Sequence, residues 1–522
     1  MNIPFILEKA VSLYPHKEAV VCGDKRFTYK QFENRVFALA RAFHAMGIQK
    51  GDRIAILHPN SHQYMETYFG TARLGAILNP LNVRLSPQEL TFIIRDSGAR
   101  LLIAASRYQD SVHSSLVADT PITHIVWTGK RHEEAGFESM GYEDLIQANQ
   151  DGSKLPEIPI SDEDIAHLYY TSGTTGLPKG VMLSHKNVCV HALAAIAELR
   201  LGDHDHWIHV APLFHLADAW ATFAVTWVGG KHVLIPDFDP LHILSAIQKE
   251  KITITNMVPT MLNTLIHTKG VESVDVSSLR AILSGGAPIA PELVKKIMET
   301  FKCDYLQTYG MTETSPYLTV SILKENLRNL SQEEQFQYKS KTGRPFLGVL
   351  LKVIRENGTE IDADDKEVGE IIVKGDIVTR GYWNRPEETD EAIKDGWLHT
   401  GDMAVLDKEG YVNIVDRKKD VIITGGENVY SIEVENILYS HPAILEAAVI
   451  GLPDPKWGEA VKAVVVLKPG CKAEAEGIIE FCKARIAGYK APKSVDFVTD
   501  LPRTGSGKIH KKKIREWFKG EG

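Results

Sequence analysis

The sequence predicts an α/β fold: a large multi-layer N-terminal α/β domain followed by a small C-terminal α+β domain. Three observations carry that expectation. Short β-branched runs alternate with segments of helical spacing, the pattern of α/β layers with largely parallel sheets. A composition change occurs near residue 400, and a charged pentad, Asp416-Arg-Lys-Lys-Asp420, separates two apolar runs. Beyond it lies a stretch of roughly 100 residues with its own strands and helices, an adequate size for an autonomous domain.

Each element follows from its local pattern. Residues 53–57 (Arg-Ile-Ala-Ile-Leu) read as a buried strand, with a helix at about 63–74. Residues 101–104, 124–127 and 232–235 are similar apolar runs, and 241–249 and 291–301 have helical spacing. Downstream of the pentad the pattern gives strands at 412–415, 421–423, 447–450 and 463–467, with helices at 432–438 and 477–486. The pentad divides the chain into domains 1–418 and 419–522.

Composition excludes several classes. The 522 residues are 44% hydrophobic and 24% charged, which excludes a disordered chain, a collagen and a disulfide mini-scaffold. A net charge of −8 argues against a dedicated nucleic-acid or anionic-membrane binder. The five cysteines contain no C-x-x-C pair, so they read as reduced thiols in the cytoplasm with no zinc site. The N-terminal residues lack the pattern of a secretion signal. The most apolar long stretch, 216–230, contains Asp218 and is too short to span a bilayer, so it reads as a buried helix.

The most informative segment is Tyr169-Tyr-Thr-Ser-Gly-Thr-Thr-Gly-Leu-Pro-Lys-Gly180. Its glycines let backbone N–H groups converge, while Thr171, Ser172, Thr174, Thr175 and Lys179 add donors and a cation, a combination suited to a polyphosphate. Pro178 precedes the lysine and Gly180 follows it, which excludes a Walker A loop. As bare composition the segment also fits a polar surface loop.

Taken whole, that segment resembles the phosphate loop of the adenylate-forming superfamily, which contains acyl-CoA synthetases, aryl-CoA ligases, luciferases and amino-acid-adenylating domains. Five further motifs follow in the family's order: Ser284-Gly-Gly-Ala-Pro288, Gln307-Thr-Tyr-Gly-Met-Thr-Glu313, Thr400-Gly-Asp402, the pentad at 416–420, and Pro502-Arg-Thr-Gly-Ser-Gly-Lys508. The resemblance implies an AMP-forming acid–CoA ligase that uses ATP, Mg²⁺ and CoA, with a small mobile C-terminal domain. The substrate would be a medium-chain fatty, short branched or aryl carboxylic acid.

The resemblance also implies roles. Thr171, Ser172, Gly173, Thr174, Thr175 and Lys179 would hold the pyrophosphate. Glu313 would help hold Mg²⁺, with Thr174 as a second oxygen donor, and Thr312 would bond the α-phosphate. Tyr309 would pack on the adenine beside Gly285, Gly286 and Ala287, with Gln307 and Thr308 on the neighbouring strand. Asp402 would accept from the ribose hydroxyls, with Arg417 as a second contact. Lys508 would bridge the attacking carboxylate and the α-phosphate. Lys419 would be the hinge about which the C-terminal domain turns for the thiol step, and Gly425 and Gly426 would line the pantetheine channel; a plain turn is the other reading of that pair. The run Lys511-Lys-Lys513 reads as a solvated face, with a CoA-phosphate contact as the other reading.

For the acyl pocket, Pro212-Leu-Phe-His215 resembles the wall of acyl- and aryl-CoA synthetases. It places His215 beside the acyl group, with Ala217, Trp220, Gly310, Thr314 and Pro316 as lining; a satisfied core histidine is the alternative. Amino-acid-activating relatives carry an aspartate in this wall, and Asp218 is shifted from that place. A stand-alone enzyme loading a carrier-protein pantetheine is the second functional reading; a luciferase-like monooxygenase and a non-catalytic acyl binder are weaker ones. Homodimers are common in the family, so the resemblance also admits a second copy of the chain as a partner.

Overall fold

The parallel pairing expected from the alternating runs is present in two sheets of the computed structural model, which describes residues 1–116, 120–133, 136–150, 154–171, 177–503 and 509–518. The chain divides into two compact units: residues 1–350 with 373–398, and residues 351–372 with 399–522.

In the first unit, a seven-stranded sheet runs in the order Glu138–Gly141, His124–Thr128, Ala99–Ala105, Arg53–Leu57, Ile77–Pro80, Ile165–Thr171, Lys179–Ser184. All neighbours are parallel except the last pair, an antiparallel hairpin. A nine-stranded sheet runs Arg344–Pro345, Tyr317–Val320, Asp304–Gly310, Ala281–Gly285, Ile254–Asn256, His206–His209, Lys231–Leu234, Glu18–Cys22, Lys25–Thr28. Its strands from Asp304–Gly310 to Glu18–Cys22 are parallel, and only the margins are antiparallel. Strands covered by helices on both faces are buried along their length rather than alternating in burial. Accordingly Lys231–Leu234 and Ile77–Pro80 are buried at every position.

The helices start where side chains supply the missing acceptors. Ser86 and Glu89 form a reciprocal cap on Pro87–Ser97, and Ser184 and Asn187 do the same for His185–Leu199. The apolar stretch at 216–230 is the buried helix Leu216–Trp227. No helix among the described residues is long and apolar enough to cross a membrane. All five thiols are free.

The second unit contains a five-stranded sheet of Ile444–Asp454, Gly458–Leu467, Ile422–Thr424, Glu427–Val429 and Ser494–Phe497, covered by Ser431–Tyr439 and Ala475–Lys483. Val434 and Leu438 from one helix and Ile478 from the other pack with Val449, Ala463 and Val465 of the sheet in a single buried cluster. The unit also contains the antiparallel pair of Trp397–Leu406, from residue 399 on, and Val412–Arg417, the second of which runs into the pentad. Residues 399–418 belong to the second compact unit.

Candidate active site

In open parallel sheets, ligands bind outside the carboxyl ends of the strands. The candidate residues of the first unit sit at such ends. Gly285 closes Ala281–Gly285, Gly310 closes Asp304–Gly310, the segment 210–215 follows His206–His209, and Thr171 closes Ile165–Thr171. Thr171 and Lys179 face each other across the hairpin, at the two ends of the segment that resembles a phosphate loop. Ser172, Gly173, Thr174 and Thr175 lie outside the described residues, as does Lys508.

Lys179 and Glu313 are linked through a residue that motif reading missed. The Tyr382 hydroxyl donates to Glu313 Oε1 at 3.0 Å, and Lys179 Nζ lies 5.2 Å from the centre of the Tyr382 ring. Glu313 is 6% exposed, in the short 3₁₀ turn Thr312–Thr314, and its carbonyl accepts from Thr379 N at 2.7 Å. Burial, and then the Glu313 carboxylate, push the Tyr382 phenol well above its ordinary range, so it remains a donor. The segment bearing Tyr382 is held in turn. Trp383 N donates to Gly180 O at 2.7 Å, and Arg385 pairs with Asp96 at 2.8 Å, which also accepts from Tyr170. The only sequence signal for Tyr382 was an aromatic residue beside Gly381 in an irregular segment.

The adenine candidates adjoin one another. Gly285 faces Thr308 in parallel register, and a Cβ there would lie 2.7 Å from the Thr308 carbonyl, so only glycine fits. Gly286 has φ +84°, and Gly286 and Ala287 are exposed. Gln307 Nε2 donates to Ala287 O at 2.9 Å, which ties the two strand ends together, while Tyr309 is half-buried.

His215 caps the helix Leu216–Trp227, its Nδ1 accepting from Ala217 N at 3.2 Å, and it is half-buried rather than sealed in the core. The Ala217 carbonyl accepts from Trp220 Nε1 at 3.0 Å and from Asn256 Nδ2 at 2.9 Å. Trp220 is 2% exposed and packs edge-on against Trp207 and Tyr317. Thr314 directs its hydroxyl to the Pro316 carbonyl at 2.6 Å, and a Cβ on Gly310 would collide with that same carbonyl. Asp218 is fully buried and committed to His209 at 2.8 Å and Trp207 at 3.0 Å, so it offers no carboxylate to an ammonium substrate.

In the second unit, Asp402 and Arg417 face each other across antiparallel strands, with Nε 3.1 Å from Oδ1. Asp402 is buried and Arg417 exposed. Lys419 is exposed in the turn between Val412–Arg417 and Ile422–Thr424, strands of different sheets. Gly425 and Gly426 form the two-residue loop of a hairpin, with φ +61° and +83°, a turn that calls for glycine at both places. The run at 511–513 departs from the solvated expectation. Lys512 and Lys513 are exposed, but Lys511 pairs with Glu435 at 2.8 Å with only 15% of its side chain accessible.

Among the described residues no group of three His, Cys, Asp or Glu side chains could hold a metal ion. Mg²⁺ fits the donor set nonetheless, because it characteristically takes one or two carboxylates and completes its shell with phosphate oxygens and water. Glu313 is a hard oxygen donor next to the phosphate hairpin.

Comparisons with known proteins identify the family. Residues 7–383 match the model of the AMP-binding enzyme family, and residues 433–508 match that of the AMP-binding enzyme C-terminal domain. A feruloyl-CoA synthase of Amycolatopsis is 38% identical over 505 residues, covering 97% of this chain and 96% of the relative. A long-chain-fatty-acid–CoA ligase of Mycobacterium tuberculosis is 35% identical over 528 residues, covering 99% and 98%. Among solved structures, an anthranilate CoA ligase in complex with anthranoyl-AMP superposes with a TM-score of 0.89 at 29% identity, covering 99% of this chain and 97% of that one. With matches across nearly its full length, the chain belongs to the AMP-binding enzyme family, within the adenylate-forming superfamily.

Proposed function

We propose that this protein is an AMP-forming carboxylic acid–CoA ligase acting on a medium-chain fatty, short branched or aryl acid. The observation that carries the reading is the convergence of Glu313, Tyr382 and Lys179 at the phosphate hairpin. In the first half-reaction a carboxylate oxygen bonds to the α-phosphorus of ATP and the bond to pyrophosphate breaks, giving an acyl-adenylate. In the second, the CoA sulfur bonds to the acyl carbon, AMP leaves, and the thiol proton passes to solvent.

Negative charge grows on the α-phosphate and the leaving pyrophosphate, so fixed donors and cations aimed there lower the barrier. Lys179 and the hydroxyls of the phosphate segment serve the pyrophosphate. Thr312 serves the α-phosphate, and Glu313, kept in place by Tyr382, would hold Mg²⁺ when the ion is bound. The ion supplies charge neutralisation on the phosphate oxygens. Asp402 and Arg417 hold the ribose. Lys508 bridges the two reacting anions, which is needed only while they react. His215 stands beside the acyl carboxylate, and Trp220 bounds the acyl chain.

The proposed functional boundary is 418/419, within the second compact unit, which itself begins again at residue 399, with Lys419 as the residue about which the C-terminal domain turns between the half-reactions. Its exposure in a turn between two sheets supports this, since a solvated residue absorbs a large φ/ψ change without losing packing. The named relatives are CoA ligases, which favours CoA over a carrier protein as acceptor. The five free thiols support a cytoplasmic location. The reading is tested by acid-dependent exchange of labelled pyrophosphate into ATP without CoA. Exchange with one acid class supports it; absence of exchange across fatty, branched and aryl acids overturns it.

A further inference from the structure

We infer that Asn60 is a positioning residue for the acyl site, acting by clamping the irregular segment that carries His215. The inference rests on the reading of His215 given above. Val210, Ala211, Leu213 and Phe214 are all buried, yet they lie between the strand His206–His209 and the helix Leu216–Trp227, outside any ladder. Buried backbone outside a ladder must find its hydrogen bonds elsewhere. Here they come from the opposite sheet. Asn60, 4% exposed, sits in the turn after the strand Arg53–Leu57. Its Nδ2 donates to the carbonyls of His209 at 3.1 Å and Ala211 at 2.9 Å, while its Oδ1 accepts from Leu213 N at 2.7 Å. Tyr68, on the helix that follows Asn60, donates to the Leu213 carbonyl at 2.8 Å.

A primary amide is the one small side chain that can both donate twice and accept at this site. The clamp ends two residues before His215, whose own N–H bonds back to Pro212 O at 3.0 Å. The position of the imidazole is therefore set from Asn60 through this segment. Among the described residues the Asn60 amide bonds to this segment alone, so its influence falls on the acid and not on ATP.

Asn60→Asp keeps the acceptor for Leu213 N but sets carboxylate oxygens against the two carbonyls. A misplacement of about 1 Å at a reacting group costs up to roughly a hundredfold. The expected result is a rise of about tenfold in KM for the acid with KM for ATP within about twofold, ATP binding serving as the check that the variant is folded. If Asn60 acts through His215, then in an His215→Ala background Asn60→Asp adds no further rise. Equal changes in both KM values, or additive effects in the double variant, overturn the clamp. An His215→Ala variant with unchanged acid KM overturns the acyl-site reading itself. An effect of His215→Ala without one from Asn60→Asp overturns only the clamp.

Discussion

The Tyr382 phenol gives Glu313 a neutral donor, and the chemistry of that donor matters. A lysine or arginine in the same place would compete with Mg²⁺, whereas the Tyr382 phenol orients the carboxylate without neutralising it. Hydrogen bonds to charged groups contribute about 1.5–3 kcal/mol. Tyr382→Phe should therefore lower kcat/KM for ATP–Mg²⁺ by roughly tenfold or more, read in a Mg²⁺ titration of the adenylation step; an unchanged value would remove Tyr382 from the site. Lys508 is assigned to one step only. Lys508→Ala should abolish acyl-adenylate formation yet spare thioester formation from preformed acyl-adenylate, and equal loss of both half-reactions would contradict the assignment.

At the scale of elements, the small unit has a buried ion pair at its C-terminal helix. Lys511 opens Lys511–Trp517, where the helix dipole disfavours a cation. The pairing with Glu435 and a bond to Ser431 outweigh this. Burial acts to lower the Lys511 pKa, but Glu435, Asp416 and Asp420 together raise it. Removing one member of such a pair costs about 3–5 kcal/mol, whereas replacing both with apolar residues is close to neutral. Lys511→Met should thus lower the urea midpoint of the second unit sharply, and Lys511→Met with Glu435→Leu should restore most of it. Equal midpoints for the single and double variants would contradict the pairing.

This pair also shows what could be read in advance. Strands such as Arg53–Leu57 and the helix Pro291–Phe301 were legible because apolar periodicity records burial directly. Gly285 was singled out through its motif alone; the Thr308 carbonyl that leaves room for no other residue there is a tertiary contact. Lys511 was misjudged because three adjacent lysines look solvated until Glu435 is brought beside the first. Tyr382 and Asn60 were missed for the same reason: their roles arise from distant partners and leave no spacing in the sequence.

For the whole molecule, buried histidines set the acid limit. Burial lowers His58 to about 4 and His167 and His191 to about 3. Below the ordinary histidine value near 6.5, the unfolded chain takes up protons that these sites refuse when folded. Their contribution is full above about pH 6.5 and is lost as pH falls toward 4. His62 has the opposite sign. Burial lowers it, but Cys22, Glu143 and Glu66 outweigh that and raise it to about 9, so its contribution declines as pH rises toward 9. Urea midpoints should therefore peak near neutrality and fall on both sides; a midpoint that rises between pH 6.5 and 5 would contradict these assignments.

Whether acid, ATP and CoA meet in one reaction is tested most directly by AMP release from ATP–Mg²⁺ across a panel of carboxylic acids, with and without CoA. The expected result is AMP release that depends on both CoA and one class of acid, with the matching acyl-CoA as product. Acid-dependent pyrophosphate release on which CoA has no effect would contradict the ligase reading and move the acceptor to a carrier protein.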